Sequence, residues 1–441
     1  MVTATATATA TVRIESAMPK RTGAARRSLP GLPFKTIFAL LAGAVVAAAA
    51  GADALAMATR FGRPSVALAL LPNEPIALSR MATIRLVQAV QEKQPTPPLR
   101  EMLKRSLAGQ ALNPVALRLL ALPERGPLDR NVDYQLVHLS DKVSRRDLAT
   151  QALLILEGGL TKNLKAVLRS YDNALRTTQE SQSLLFPQLV KAIELPEMAP
   201  YFASYLRERP PWLSPFLIYA AASSESPETF ARLIQMNGGV ADLDRSEEID
   251  FGFINALLSR KRNYAAAREY YLSTSGAKPA ALSAPTIFKD TIEPAGNGLL
   301  WQLYDERGRG AEALLKRAIL AFAETDKSGP VARKLLFLAP GRYRLSGRYE
   351  DAKYGDGGGA SWSVTCASQQ DRLLATMPIP LNKGNYGSSM EFDVELGCGA
   401  VTLELGLDGG ASREGSELLI ASLDLRPARA SAAPAMSESR R

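Results

Sequence analysis

The chain has one histidine and two cysteines in 441 residues, and these scarcities remove most familiar chemistry. A Ser-His-Asp or Cys-His site would have to use His138. That residue lies beside Val137 and Leu139 in a helical run, and no Gly-x-Ser-x-Gly elbow presents a serine to it. One His with two distant Cys does not complete a usual zinc set. No Gly-x-x-x-x-Gly-Lys-Ser/Thr loop cradles a phosphate, and Asp356-Gly357-Gly358-Gly359 has no lysine behind it. The acidic run Asp242, Asp244, Glu247, Glu248 and Asp250 lacks the alternating oxygen ligands and central glycine of a cation loop. It reads instead as a helix entrance, where the macrodipole favours carboxylates. The expectation is therefore no metal, no cofactor and no enzyme. One alternative stays open: a pair of carboxylates can run glycoside hydrolysis on almost any fold, and no particular pair stands out.

Positive charge is present but lies at the ends. Of a net +9, residues 1–35 contribute six Lys/Arg against one Glu, and the tail from Arg426 contributes four Arg against one Glu. The body between is almost neutral, without the basic stripe interleaved with aromatics that tracks phosphates, so nucleic-acid binding is not expected. The basic leader precedes Thr36 to Ala52, an uncharged, proline-free run about 26 Å long as a helix. This predicts a transmembrane helix at 36–52 in a bacterial inner membrane, with residues 1–35 as a disordered cytoplasmic segment and the body in the periplasm. The small residues Ala50-Gly51-Ala52 leave a cleaved export signal as the alternative. Met18, which opens Met-Pro-Lys-Arg, is a second candidate start.

Residues 53–276 read as helices almost throughout. Ser144 followed by Asp147 predicts a capping box for a helix carrying Leu148, Ala152 and Ile155. Its partner places Leu164, Val167, Leu168, Tyr171 and Leu175 on one face. Asn73 and Asn113 each stand at a predicted helix cap, about forty residues apart. Trp212, after Pro210-Pro211, either floors a groove or staples consecutive helices. Val167-x3-Tyr171-x2-Ala174 and Arg262-Asn263-Tyr264-x2-Ala267-x2-Tyr270 give this region a resemblance to tetratricopeptide repeats, in a degenerate form without a kept period. The resemblance implies an irregular α-solenoid whose surface docks a protein partner.

After an Ala/Pro/Ser stretch at 277–284 the texture changes. Short runs, bounded by Gly, Asn and Asp, alternate apolar with polar, as in Phe392, Val394, Leu396 and in Val401, Leu403, Leu405. Eight or nine such runs predict an antiparallel β-sandwich or jelly roll over 285–426, followed by a disordered tail at 427–441. Cys366 and Cys398 both fall inside it, as a disulfide candidate or as two buried thiols. Leu338-Ala339-Pro340-Gly341-Arg342-Tyr343-Arg344-Leu345, Trp362-Ser363-Val364-Thr365-Cys366 and Gly397-Cys398 give this domain a resemblance to carbohydrate-binding-module-like sandwiches. The whole layout resembles a group of tetratricopeptide-like envelope proteins of proteobacteria. That resemblance implies a membrane-anchored interaction scaffold with a glycan-binding sandwich. Aromatic faces stack on pyranose rings, which makes Tyr354, Tyr386 and Trp362 the candidate ligand residues, with Trp362 also suited to the core by alternation.

Overall fold

The computed structural model of the chain describes residues 34–92, 94, 98–123, 132–177, 179–285, 299–314, 318–381, 384–411 and 413–428. The leader up to Pro33, the start at Met18 and the tail beyond Ala428 lie outside the described residues. What is described forms two compact units, one ending at Ala111 and the other beginning at Leu112.

The first unit holds α1 (Phe34–Thr59), α2 (Pro64–Leu70), α3 (Pro75–Gln91) and α4 (Arg100–Gly109). Prolines occupy the first position of α2 and α3, where a missing N–H costs nothing. Glu74, rather than Asn73, caps α3 by accepting from the Ala77 amide. Ser106 Oγ ties α4 to α3 by donating to the Pro75 carbonyl at 2.7 Å. Ala56 of α1 is fully buried against Ala67 and Ala77.

These observations correct the expected membrane helix and the inner-membrane location built on it. Among the described residues, no helix is long and apolar enough to cross a membrane. From Ala44 to Ala52 the run is alanine and glycine except for Val45 and Val46, so each residue offers little apolar area to hydrocarbon. The helix also continues past Asp53, and its last turns pack on α2 and α3.

The second unit begins with α5 (Pro114–Ala121), α6 (Tyr134–Val143), α7 (Leu148–Leu160), α8 (Leu164–Leu175), α9 (Gln179–Ile193) and α10 (Ala199–Glu208). It continues with α11 (Leu213–Ser223), α12 (Pro227–Met236), α13 (Ser246–Asn255) and α14 (Tyr264–Ser275). Short polar side chains set the starts: Asn113, Asp147, Asn163 and Asn263 each accept from the amide three residues on. Asp147 is thus the cap of α7 itself, while Ser144 closes α6 through its amide. Gly158 lets α7 approach α8, because a Cβ there would meet Val167 Cγ2 at 2.6 Å. The expected tetratricopeptide-like solenoid is not shown. Helices in this unit run from 8 to 15 residues, α9 contains Pro187, and a π-turn at Ala256–Arg260 interrupts the passage from α13 to α14.

Phenylalanines knit these helices into one core. Phe186, Phe202, Phe216, Phe230, Phe253 and Tyr270 meet ring to ring from α9 to α14, with centroids 5.3 to 6.5 Å apart. Trp212 is 2% exposed, packs on Tyr205 and Phe216, and donates from Nε1 to Asp172 at 2.8 Å. It staples helices rather than flooring a groove.

Among the described residues eleven strands follow, all paired antiparallel: β1 (Gln302–Leu303), β2 (Asp305–Glu306), β3 (Arg309–Leu314), β4 (Ala318–Ala323), β5 (Ser328–Leu336) and β6 (Gly341–Lys353). Next come β7 (Gly359–Cys366), β8 (Arg372–Ile379), β9 (Tyr386–Val394), β10 (Val401–Asp408) and β11 (Ser416–Pro427). They form a β-sandwich of two sheets, ordered β1-β5-β10-β7-β8 and β2-β3-β4-β11-β6-β9. Period-two burial sends Ala360, Trp362, Val364 and Cys366 inward from β7, and Val401, Leu403, Leu405 and Leu407 inward from β10. Alternation also carries Lys334 inward, opposite Leu403; it is 1% exposed and lies 5.7 Å from the Trp301 ring. Cys366 and Cys398 form a disulfide with Cα atoms 5.7 Å apart.

The sandwich is not hung on the helices by a free linker. Leu335, Ala367 and Ala400 belong to the same apolar cluster as the helical phenylalanines, and Leu282 from the connecting stretch is buried with them. The Phe337 amide donates to the Leu282 carbonyl at 2.8 Å. Arg262, just before α14, reaches the Ala367 carbonyl at 3.2 Å and Asp371 at 2.8 Å.

Candidate functional site

An open groove of about 1210 Å³ lies where α14 faces one end of the sandwich. One wall is helical. Asn263 spends its Oδ1 on capping α14, which leaves its Nδ2 as the free end of the amide in the groove lining. From this cap the helix presents Tyr264, Arg268 and Leu272 in one row, four residues apart, with Ala265, Glu269 and Ser273 in the next.

The other wall comes from turns at the strand ends. Phe337 to Pro340 leave β5, Ser368 follows β7, and Gly397 to Gly399 precede β10. The disulfide pins the last of these turns to the end of β7, so Cys398 is part of the wall it holds in place. Gly397 sits at φ +89°, a left-handed conformation that glycine adopts without strain.

Charge in the groove is unevenly committed. Arg262 is clamped: its Nε reaches Tyr264 Oη at 3.4 Å and its Nη2 pairs with Asp371. The Tyr264 hydroxyl, and after it Asp371, raise its already high pKa, so it stays cationic. Arg268 lies over the Phe337 ring, 5.9 Å from the centroid. Glu269 is exposed on the neighbouring row and is, among the described residues, the one carboxylate lining the groove.

Two smaller clefts are less suited to a ligand. His138 lies in one of about 420 Å³ among α6, α7 and α8. Its Nε2 pairs with Glu157 at 3.0 Å, and Asp141 accepts from Gln151 at 2.7 Å, so these polar groups are occupied with each other. A second, of about 410 Å³, lies along Gly357 to Ser361 and Gly406 to Asp408. Among the described residues no group of His, Cys, Asp and Glu is arranged to hold a metal ion.

The structure brings Tyr354 and Tyr386 together, at the end of the sandwich remote from the groove. Gly341 pairs with Val394 beside the groove, and Tyr349 with Tyr386 at the other end of the same two strands. Both tyrosines are half-buried and pack against the sandwich core. Tyr354 Oη donates to the Ile379 carbonyl at 3.1 Å, and burial pushes both phenols above their ordinary range. Tyr349, whose ring lies 5.3 Å from that of Tyr386, is pushed up to about 12, chiefly by burial. Trp362 is wholly enclosed, edge to face with Trp301 at 6.0 Å. Sequence reasoning missed the groove although it had singled out three of its parts. Arg262-Asn263-Tyr264, the turn at Leu338 to Pro340, and Gly397-Cys398 each stood out for packing, and nothing local shows that they converge.

No family model matches the chain, and no curated protein does. Solved structures with some similarity include a CBM4 structure, at 10% identity and TM-score 0.26, over 32% of this chain and 97% of that one. A CBM22-1 xylan-binding domain from Paenibacillus barcinonensis is 11% identical with TM-score 0.24, over 34% and 96%. TmCBM61 in complex with β-1,4-galactotriose is 12% identical with TM-score 0.21, over 29% and 88%. Likeness at this level says nothing about what the present chain binds.

Proposed function

We propose that this protein is a non-catalytic carbohydrate-binding protein whose ligand site is the groove between α14 and the sandwich. The carrying observation is the lining itself. A half-exposed aromatic ring at Tyr264 stands with an amide, a guanidinium and a carboxylate in an open trough of about 1210 Å³. An aromatic face suits the C–H side of a pyranose, while planar polar groups suit paired ring hydroxyls. An open trough accepts a chain running through it, where a closed pocket would take only a chain end.

The same inventory supports binding without hydrolysis. Glycoside cleavage uses two carboxyl groups flanking the bond, whereas among the described residues Glu269 stands alone in the lining and the nearby Asp371 is held by Arg262.

The test is a glycan array probed with the full-length chain, Tyr264→Ala and Tyr354→Phe, each first shown to melt as the wild type does. Saccharide signals that vanish in Tyr264→Ala and persist in Tyr354→Phe are expected. Absence of any saccharide signal, or signals indifferent to Tyr264, would overturn the reading.

A further inference from the structure

We infer that the groove selects acidic saccharides, with Arg268 as the group that receives the sugar carboxylate. This rests on the groove being a saccharide site, and the experiment below separates the two.

The argument starts from how each cation in the groove is engaged. Arg262 has its charge answered by Asp371 at 2.8 Å and a further donor satisfied by the Ala367 carbonyl, so it serves to hold the two walls together. Arg268 has no such partner: among the described residues it makes neither a hydrogen bond nor an ion pair, only the contact with the Phe337 ring. A guanidinium carries five N–H donors in a fixed fork that matches a carboxylate in two parallel bonds. One that is half-buried against an aromatic face has lost part of its hydration, so an incoming carboxylate displaces less water. Its planar fork is also already oriented by that ring.

Position supports the same assignment. Arg268 is one turn from Tyr264 in the row facing Phe337, so a sugar stacked on the tyrosine brings a substituent of its ring over the guanidinium. Glu269 is the opposing charge that must be accounted for. It projects about 100° away around the helix and is exposed, which suits accepting from hydroxyls at the rim and leaves Arg268 unneutralised. A neutral sugar would engage Tyr264, Asn263 and Glu269 but leave the guanidinium unanswered. A uronic acid engages all of them.

The measurement uses matched pairs of oligosaccharides: oligogalacturonate, oligoglucuronate and oligomannuronate tetramers, each beside its fully methyl-esterified, uncharged form. Affinities for the full-length chain are read by calorimetry, with Lys261→Gln as a control for general basic charge. At least one acid is expected to bind tenfold or more tighter than its ester, with affinity falling as salt rises. Arg268→Gln should erase that ratio, Arg268→Lys should keep part of it by losing only the fork, and Lys261→Gln should leave it unchanged. Acid and ester binding equally, or a ratio indifferent to Arg268, overturns the inference while leaving the groove a saccharide site. A ratio lost equally in Lys261→Gln reduces it to general charge and also overturns it. Failure of every acid and every ester, with neutral glycans bound on the array through Tyr264, likewise overturns it alone. Silence on the array as well overturns both.

Discussion

The helical layer from α8 to α14 and the sandwich beside it keep their interiors in different ways. In the helices the core is a run of aromatic rings contributed one or two per helix, each dependent on neighbours brought from elsewhere in the chain. In the sandwich each strand declares its inner face by alternation, and one covalent link joins the end of β7 to the turn before β10. The lesson is that the first core is specified collectively and the second strand by strand. The two nevertheless merge, since Leu335, Ala367 and Ala400 of the sandwich belong to the helical cluster.

The hardest blow to that contrast is Phe216→Ala. Phe216 is fully buried and touches four other rings, so its removal should cost about 3–5 kcal/mol in urea unfolding. If the cores are joined, hydrogen exchange will accelerate in β5 and β10 together with α11. Acceleration confined to helices would show the merger to be nominal. Next in size, Cys366→Ser with Cys398→Ser opens a loop with a sequence separation of 32 and should remove about 3 kcal/mol. Exchange should rise chiefly at the turns before β10 and after β7, while α9 to α12 stay protected; uniform loosening would erase the distinction between the two kinds of core.

The smallest effect is a matter of pH. Burial lowers the Lys334 pKa from 10.5 to about 8, so the folded chain releases this proton near pH 8 while the unfolded chain keeps it to about 10.5. The unfolded state therefore holds more protons in that window, and stability rises with pH across it. Below pH 8 the full penalty stands. Relative to Lys334→Met, the wild type should gain about 2 kcal/mol between pH 8 and 10, followed as the difference in denaturation midpoints. A flat difference would mean the ammonium is well solvated where it sits.

Sequence and structure agree best where the period is short. Phe392 and Val394 of β9, and the inward row of β10, are readable as strand faces because each residue's fate depends only on its parity. The helix start at Asn113 is readable, because a polar side chain there serves its own turn, whereas the capping box expected from Ser144 is displaced to Asp147, which caps α7 itself. The membrane helix misread hydropathy: a run of alanine looks apolar in a window, yet each residue of it offers little apolar area, and the alanine that packs, Ala56 against Ala67 and Ala77, lies beyond the run. The groove was illegible for a different reason. Its walls come from 262–273, 337–340, 368 and 397–399, and a shape made by distant segments leaves no local pattern. The same holds for Leu396, which continues the apolar alternation of its strand but is 86% exposed beyond the last pleat.

The backbone bond from Phe337 to Leu282 places the stretch where the chain leaves α14 directly beside the groove. A single cut in the crossing at 277–281 would leave each half of the trough on a separate polypeptide, neither able by itself to form the proposed site. The two pieces would act as a split reporter, in which capture of the proposed saccharide registers their reunion.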